Sequence, residues 1–307
     1  MNHTMRDIIH VSSVDQVTRT LVNSGPDHPL ISIIDFSEVA VCGANSIIFT
    51  SDLYIILLKD RCDGDMLYGR ENYDFQDGVL SFFAPGQVIS IEPNTDANLP
   101  GTGWGVFVHA DFIAGTSLGS KIKEYSFFGY AINEALHASE KEKQTLMQCI
   151  GNIRSELGNN MDPHSEELVV SNLDLLLNYC TRYFNRQFLT RKKFTSHIVQ
   201  QFEDQLVAWF LGDQARLNGL PTVKYLAGQV HLSPNYLSDY LKSNTGFSAQ
   251  EHIQRKLIEE AKTRLLSRNG KTINEVAYEL GFDNPPYFTR LFKKRVGVTP
   301  TEFLSVN

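Results

Sequence analysis

Two hydrophobic rhythms divide the chain. Up to about residue 115 the apolar runs are short: Leu30–Phe36, Ile47–Phe49, Tyr54–Leu58, Val79–Phe83, Val88–Ile91 and Val106–Val108. Turn chemistry separates them at Ser24-Gly25-Pro26, Asp63-Gly64, Asp77-Gly78, Pro85-Gly86 and Leu99-Pro100-Gly101. Short strands at regular spacing predict a sandwich or small barrel. From about Ser139 the period lengthens. Leu146, Cys149, Ile150, Ile153 and Leu157 follow 3-4 spacing, as do Leu168, Asn172, Leu175, Leu176, Tyr179 and Tyr183, with Gly158-Asn159-Asn160 and Pro163 between the two sets. That pattern predicts an antiparallel helix pair. The polar, basic stretch Asn185–Lys193 reads as a linker. The predicted organisation is therefore a first domain over 1–185 (strands about 1–115, helices about 120–185), a linker over 186–195 and an all-helical domain over 196–307.

The helical part contains an internal repeat. Thr222–Ile253 matches Thr272–Leu304 at an offset of 50 up to a turn and 51 after it, so the second copy carries one extra residue there. Val223, Leu226, Ala227 and Val230 align with Ile273, Val276, Ala277 and Leu280, each set one face of a short helix. Tyr236, Leu237, Tyr240 and Leu241 align with Tyr287, Phe288, Leu291 and Phe292, the expected buried face of a second helix. Gly246 and Gly297 sit where a helix ends in a left-handed residue. Ser248 with Glu251 and Thr299 with Glu302 restart a helix with a capping box; Thr272 with Glu275 forms a third box. The turns are Val230-His231-Leu232-Ser233 and Leu280-Gly281-Phe282-Asp283, and prolines 234, 285 and 286 fall in the first turn of the following helix, where amide donors are free anyway. Helix, tight turn, helix, twice over, is a duplicated helix-turn-helix.

Burial of one face assigns the other. The outward positions of the second helix are Asn235, Ser238, Asp239 and Lys242 in the first copy, and Asn284, Thr289, Arg290, Lys293 and Lys294 in the second. From Asn284 to Thr301 there is no acidic residue, while Arg290, Lys293, Lys294 and Arg295 supply four positive charges. Asn and Arg near the start of such a helix suit bidentate contacts to adenine and guanine. Lys293, Lys294 and Arg295 come later and suit phosphate, which fixes register without reading sequence. Between the copies, Ile253, Leu257, Ala261 and Leu265 continue one helical stripe. About 19 residues at a 1.5 Å rise make a spacer of roughly 28 Å, close to one DNA turn of about 34 Å.

Composition narrows the class without changing this picture. The chain has 307 residues, 42% hydrophobic and 21% charged, which excludes a disordered or collagenous chain. No apolar run approaches the ~20 residues of a membrane span, and the N-terminal stretch lacks the pattern of a secretory signal. Cys42, Cys62, Cys149 and Cys180 lie far apart without a C-x-x-C, which fits a reducing cytosol. The net charge of −7 hides an asymmetry. Residues 196–307 carry 13 basic and 11 acidic side chains, a net of +2, so residues 1–195 carry −9.

Residues 196–307 resemble the AraC/XylS family DNA-binding domain. The segment Gly281–Phe303 is similar to that family's signature, which joins an aromatic pair, an F-K-K stretch, a glycine and a Ser/Thr-Pro. The resemblance implies a bacterial, cytoplasmic transcription regulator of activator type that binds double-stranded DNA through both motifs, with RNA polymerase as a further partner. Family members often carry a small polar residue where Pro285 and Pro286 stand. The first half resembles the cupin-like domain that often precedes this DNA-binding domain, through its strands, Pro85-Gly86-Gln87, His109-x-Asp111-Phe112 and the helix pair. In the family such a domain binds a small-molecule effector, forms a homodimer through its helices, or does both. The implied fold class is a two-domain α+β chain, a cupin-like β-domain with a helix pair followed by an all-α domain.

Other chemistry reads weakly. No His-x-His appears in the first half, so His109-x-Asp111 is expected to be a strand-end pair, and no metal or cofactor is expected. Asp60–Glu71 has the length of a calcium loop but puts Cys62 and Gly64 where oxygen ligands belong and Asp65 where a glycine is needed. Gly101-x-Gly103-x-Gly105 has no helix pattern behind it, and Gly115–Lys121 lacks the order of a phosphate loop. No nucleophile or metalloprotease motif is present, so no catalytic residue is expected. Arg191-Lys192-Lys193 reads as solvated linker or as an accessory phosphate contact. The apolar faces of the helix pair suit intradomain packing, with a dimer seam as the added possibility. The competing classes are a cupin-type enzyme tethered to the helical domain and a protein-interaction module.

Overall fold

A computed structural model describes residues 9–39, 47–61, 78–91, 102–131, 134–159, 164–190, 192–267 and 270–306. The chain divides into two units, Met1–Gln187 and Phe188–Asn307. Cys42, Cys62 and the part of the acidic loop from Cys62 to Glu71 lie outside the described residues.

The first unit is β-rich. It runs β1 (Ile9–Val11), α1 (Val14–Val22), β2 (Ile31–Asp35), β3 (Ile47–Ser51), β4 (Leu53–Arg61), β5 (Gly78–Phe83), β6 (Val88–Ile91) and β7 (Thr102–His109). Two short helices follow, α2 (Ala110–Ile113) and α3 (Ser117–Lys121), then β8 (Leu136–Ala138). Three strands pair in the order β1-β3-β6, and five in the order β2-β7-β4-β5-β8. β7 is buried on both sides, so it reads as a continuous apolar run rather than an alternation. One of its faces, with Phe107, joins Ile34, Leu53, Ile55, Phe83, Ile89, Val14 and Val17 in a core that draws on both sheets and α1.

Helix α1 is an addition to the predicted all-strand stretch. Ser13 caps it by accepting from the Gln16 amide, and Val14 and Val17 are buried at helical spacing. β8 was also not legible beforehand, because a three-residue strand carries no periodicity of its own. It completes the larger sheet by pairing with β5.

The helix pair is α4 (Glu140–Gly158) and α5 (Ser165–Thr190). Phe184 of α5 packs on Phe82 and Phe127, and Arg154 of α4 reaches Asp35 at 3.9 Å, which covers the second face of the larger sheet. Cross-links hold the pair: Asn152 donates to Asn172, and Arg186 to Glu142 at 2.7 Å. Lys121 and Tyr125 both donate to Asp174; burial and the bond to the Asp174 carboxylate push the Tyr125 phenol up to about 12, against the opposing pull of the Lys121 ammonium. Gln187 on α5 holds the start of β8 by accepting from the His137 amide and donating to the carbonyl of Ala135, the residue just before the strand.

The stretch 185–193, read from sequence as a linker, is helical in the structure apart from residue 191, which is not described. α5 continues to Thr190 and α6 (Lys192–Leu211) starts two residues later. The reason is local: this stretch has no Gly or Pro, and Arg, Gln, Leu and Lys are good helix formers. Its polarity masked the one apolar anchor, Phe188, which is buried.

The second unit continues with α7 (Gln214–Asn218), α8 (Val223–Gln229), α9 (Pro234–Thr245), α10 (Ala249–Leu266), α11 (Ile273–Glu279), α12 (Pro285–Val296) and α13 (Pro300–Val306). A single cluster from Phe202 to Phe292 forms its core. Each fully buried Leu or Phe in it contributes roughly 1.5–3 kcal/mol. Both copies of the repeat share that core, so they are parts of one body.

Candidate nucleic-acid interface

Each copy is built by the same backbone bonds. In the first, the Thr222 hydroxyl accepts from the Tyr225 amide to start α8, and the Leu232 amide returns to the Ala227 carbonyl at 3.0 Å to close the turn. In the second, Thr272 and Glu275 form the capping box of α11, and the Phe282 amide returns to the Ala277 carbonyl at 3.0 Å. Ser233 caps α9 and Asn284 caps α12. Prolines occupy the first turn of each, and both helices end in a left-handed glycine, Gly246 at φ 83° and Gly297 at φ 91°.

These frames present the outward side chains. Asn235 and Lys242 are exposed on α9, with Ser238 and Asp239 half-exposed. On α12, Arg290, Lys293, Lys294 and Arg295 are exposed and Thr289 is half-exposed. Asn284 is exposed, but its side chain is engaged: Oδ1 accepts from the Tyr287 amide as the helix cap. Arg295 is turned sideways and donates to Gln254 of α10. Glu251 lies within electrostatic reach of both Lys242 and Arg295, and Glu302 within reach of Lys293. Arg290 and Lys294 thus lead the outward cationic face of α12.

The repeat alignment failed at one position. Tyr236 is 4% exposed, as expected of a core residue, whereas its partner Tyr287 is 48% exposed. Tyr236 is covered from outside the repeat: the Phe188 ring meets it edge-on at 5.1 Å, and the Tyr240 ring stacks beside it. The Tyr287 ring leans on Phe282 in the turn and is otherwise largely open to solvent. It joins the exposed surface of α12, where sequence reasoning had assigned it to the core. The two prolines and the extra Asp283 were the available signal that the second helix starts differently. His231, exposed in the first turn with φ 57°, is the other surface residue not singled out beforehand.

Elsewhere, His109 accepts from the Asp111 amide and caps α2, so the pair at the end of β7 serves the chain reversal. Gly103 lies within β7 at φ 128°, facing the Leu58 carbonyl. No group of three potential metal-binding side chains occurs among the described residues. No described helix is long and apolar enough to cross a membrane.

A family model described as a helix-turn-helix domain matches residues 226–305. The arabinose operon regulatory protein of Salmonella typhimurium is 38% identical over 78 residues, 25% of this chain and 27% of that protein. Residues 226–305 form an AraC-type helix-turn-helix domain. The transcriptional regulator YobQ of Bacillus subtilis, itself uncharacterized, is 43% identical over 79 residues, 26% of this chain and 32% of that protein. The transcriptional regulatory protein YesN of Bacillus subtilis, also uncharacterized, is 38% identical over 73 residues, 24% of this chain and 20% of that protein. Among solved structures, the C-terminal domain of the two-component response regulator yesN from Fusobacterium nucleatum aligns at 28% identity and a TM-score of 0.30, over 34% of this chain and 94% of that chain. The aligned segment spans a fifth to a third of the curated relatives' length. The likeness therefore belongs to the AraC-type domain.

Proposed function

We propose that this chain is a transcriptional regulator whose AraC-type domain reads two successive major-groove segments of duplex DNA. Arg290 and Thr289 on α12, and Asn235 and Ser238 on α9, contact base edges; Lys242, Lys293 and Lys294 contact phosphate. Asp239 accepts from a cytosine amine. Asn284 and Arg295 act mainly on the protein, as cap and as brace to α10. The observation that carries the reading is the duplicated frame with its outward cationic helix, built on one core. The test is selection of bound sites from random duplexes by the full chain, followed by salt titration. Survivors with two conserved segments about one turn apart, and affinity that falls steeply with salt, are the expected result. Enrichment of no sequence at low salt would refute the reading.

The first unit, residues 1–185 in this scheme, acts as a cupin-like regulatory domain that binds a small-molecule effector, pairs two copies, or both. Support for pairing comes from Met147, Leu168 and Leu175, apolar side chains left exposed on α4 and α5. DNA-bound protein would meet RNA polymerase in the cytoplasm, and the chain itself has no enzymatic activity in this reading. Sedimentation across a concentration series checks the pairing.

A further inference from the structure

The second reading head is held by more than the helix that joins it to the first. Arg264, half-buried in the last turn of α10, splits its guanidinium between two helix ends. Nη1 donates to the carbonyl of Glu279, the last residue of α11, at 2.9 Å, and Nη2 to the carbonyl of Phe210 near the end of α6, at 2.6 Å. Carbonyls at a helix C-terminus lack intrahelical donors and carry the negative end of the helix dipole, so one cation satisfies both. A planar fork can serve two fixed acceptors at once, and an ammonium point charge cannot do so with the same geometry.

A second contact closes next to the first. Gly281 turns the chain at φ 90° against the backbone of Gly219: a β-carbon there would lie 2.6 Å from the Ala215 carbonyl oxygen and 2.8 Å from that of Gly219. The indole of Trp209 on α6 donates to that same Gly219 carbonyl at 3.1 Å. Through α7, then, α6 grips the turn of the second copy, while Arg264 grips the helix before that turn. α12 packs on α11 and α10. The first copy has a different turn residue, His231, which is exposed.

We propose that Arg264 is a positioning residue that sets the offset of the second reading helix from the first, and so the spacing of DNA segments the chain accepts. The proposal rests on the two-segment reading above. A one-base-pair change in spacing moves the second segment by about 3.4 Å and turns it by about 35°, a tenth of a ~34 Å helical turn. A head fixed in place tolerates that poorly, and a loosened head tolerates it better.

The test uses the full chain as wild type, Arg264→Gln and Arg264→Lys. Affinity is measured on the selected duplex and on versions with one base pair added or removed between the segments. Amide exchange of residues 279–283 is followed without DNA. The expected result for Arg264→Gln is a loss of about tenfold at native spacing, a smaller penalty for changed spacing than wild type shows, and faster exchange at 279–283. Arg264→Lys, which keeps the charge and one donor direction, should recover part of each and guards against a glutamine variant that fails to fold. An equal loss on all three duplexes with the wild-type spacing penalty overturns the proposal, since that is what a merely structural role yields. Unchanged exchange and unchanged spacing penalty overturn it too. If wild type selects no duplex at all, the DNA reading falls, and the exchange measurement alone decides whether the clamp exists.

Discussion

The two copies of the repeat share their turn bonds to within the same 3.0 Å, yet differ in nearly everything that faces outward. The first turn carries His231, exposed and left-handed; the second carries Gly281, wedged against another backbone. The first reading helix mixes Lys242 with Asp239 and has Tyr236 covered by Phe188; the second is cationic and leaves Tyr287 open. Duplication preserved the scaffold, which depends on buried faces and caps, and let the surfaces diverge. The second copy carries more positive charge on its outward helix and is more firmly moored, so in the proposed reading the two heads are expected to contribute unequally.

The sharpest way to break the symmetry is at the turn. Gly281→Ala puts a β-carbon into backbone atoms that cannot give way, at a φ that L-residues avoid, and should cost roughly 2–4 kcal/mol. His231→Gly relieves a left-handed residue and should be neutral or stabilising by up to about 1 kcal/mol. Denaturant midpoints of the two variants check the contrast, and equal shifts would contradict it. Next in size is base reading. Arg290→Ala should lower affinity for the selected site by roughly 1–3 kcal/mol and relax preference at one position. Ser238→Ala in the first copy should do less, and sequencing of sites selected by each variant tells them apart.

Lys294→Ala should weaken binding to all duplexes alike and reduce the salt slope by about one unit. A loss confined to one sequence would move Lys294 from phosphate to base. Acidification separates the copies most gently. Glu275 in the second copy accepts from the Thr272 amide and hydroxyl, and these bonds hold its carboxyl below the ordinary 4.5. Stability from that pair is fully present above pH 4.5 and is lost as pH falls through the depressed value. The same holds for Glu251 and Glu302 at the start of α10 and α13. In the first copy Tyr225 stands where Glu275 stands in the second, so Glu275→Gln should flatten part of the acid limb of the melting curve and a Tyr225 variant should not.

Much of the helical unit was legible because its signals are short-range. A cap acts over three residues, an amphipathic stripe over seven, and a left-handed stop at one glycine. Gly246, Gly297, the three capping boxes and the buried stripes of α9 and α10 could all be read this way. Strands β2 to β7 of the first unit were found for the same reason, as apolar runs between turn residues. α1 was missed because two buried valines in nine residues make too short a stripe to stand out, and the helical state of the linker stretch was not legible because polarity is not the same as a break in helix propensity.

By itself, then, the sequence determined that two helix-turn-helix frames exist, where each begins and ends, and which stretch bears the positive charge. The tertiary structure decided which of two aligned tyrosines is covered, why one turn tolerates histidine where the other requires glycine, and where Arg264 spends its donors. Those outcomes depend on Phe188, Gly219 and Phe210, residues 48 to 62 positions away in the chain from the groups they meet. Periodicity and caps report only on near neighbours, whereas burial and close backbone approach are set by whichever distant segment packs on top.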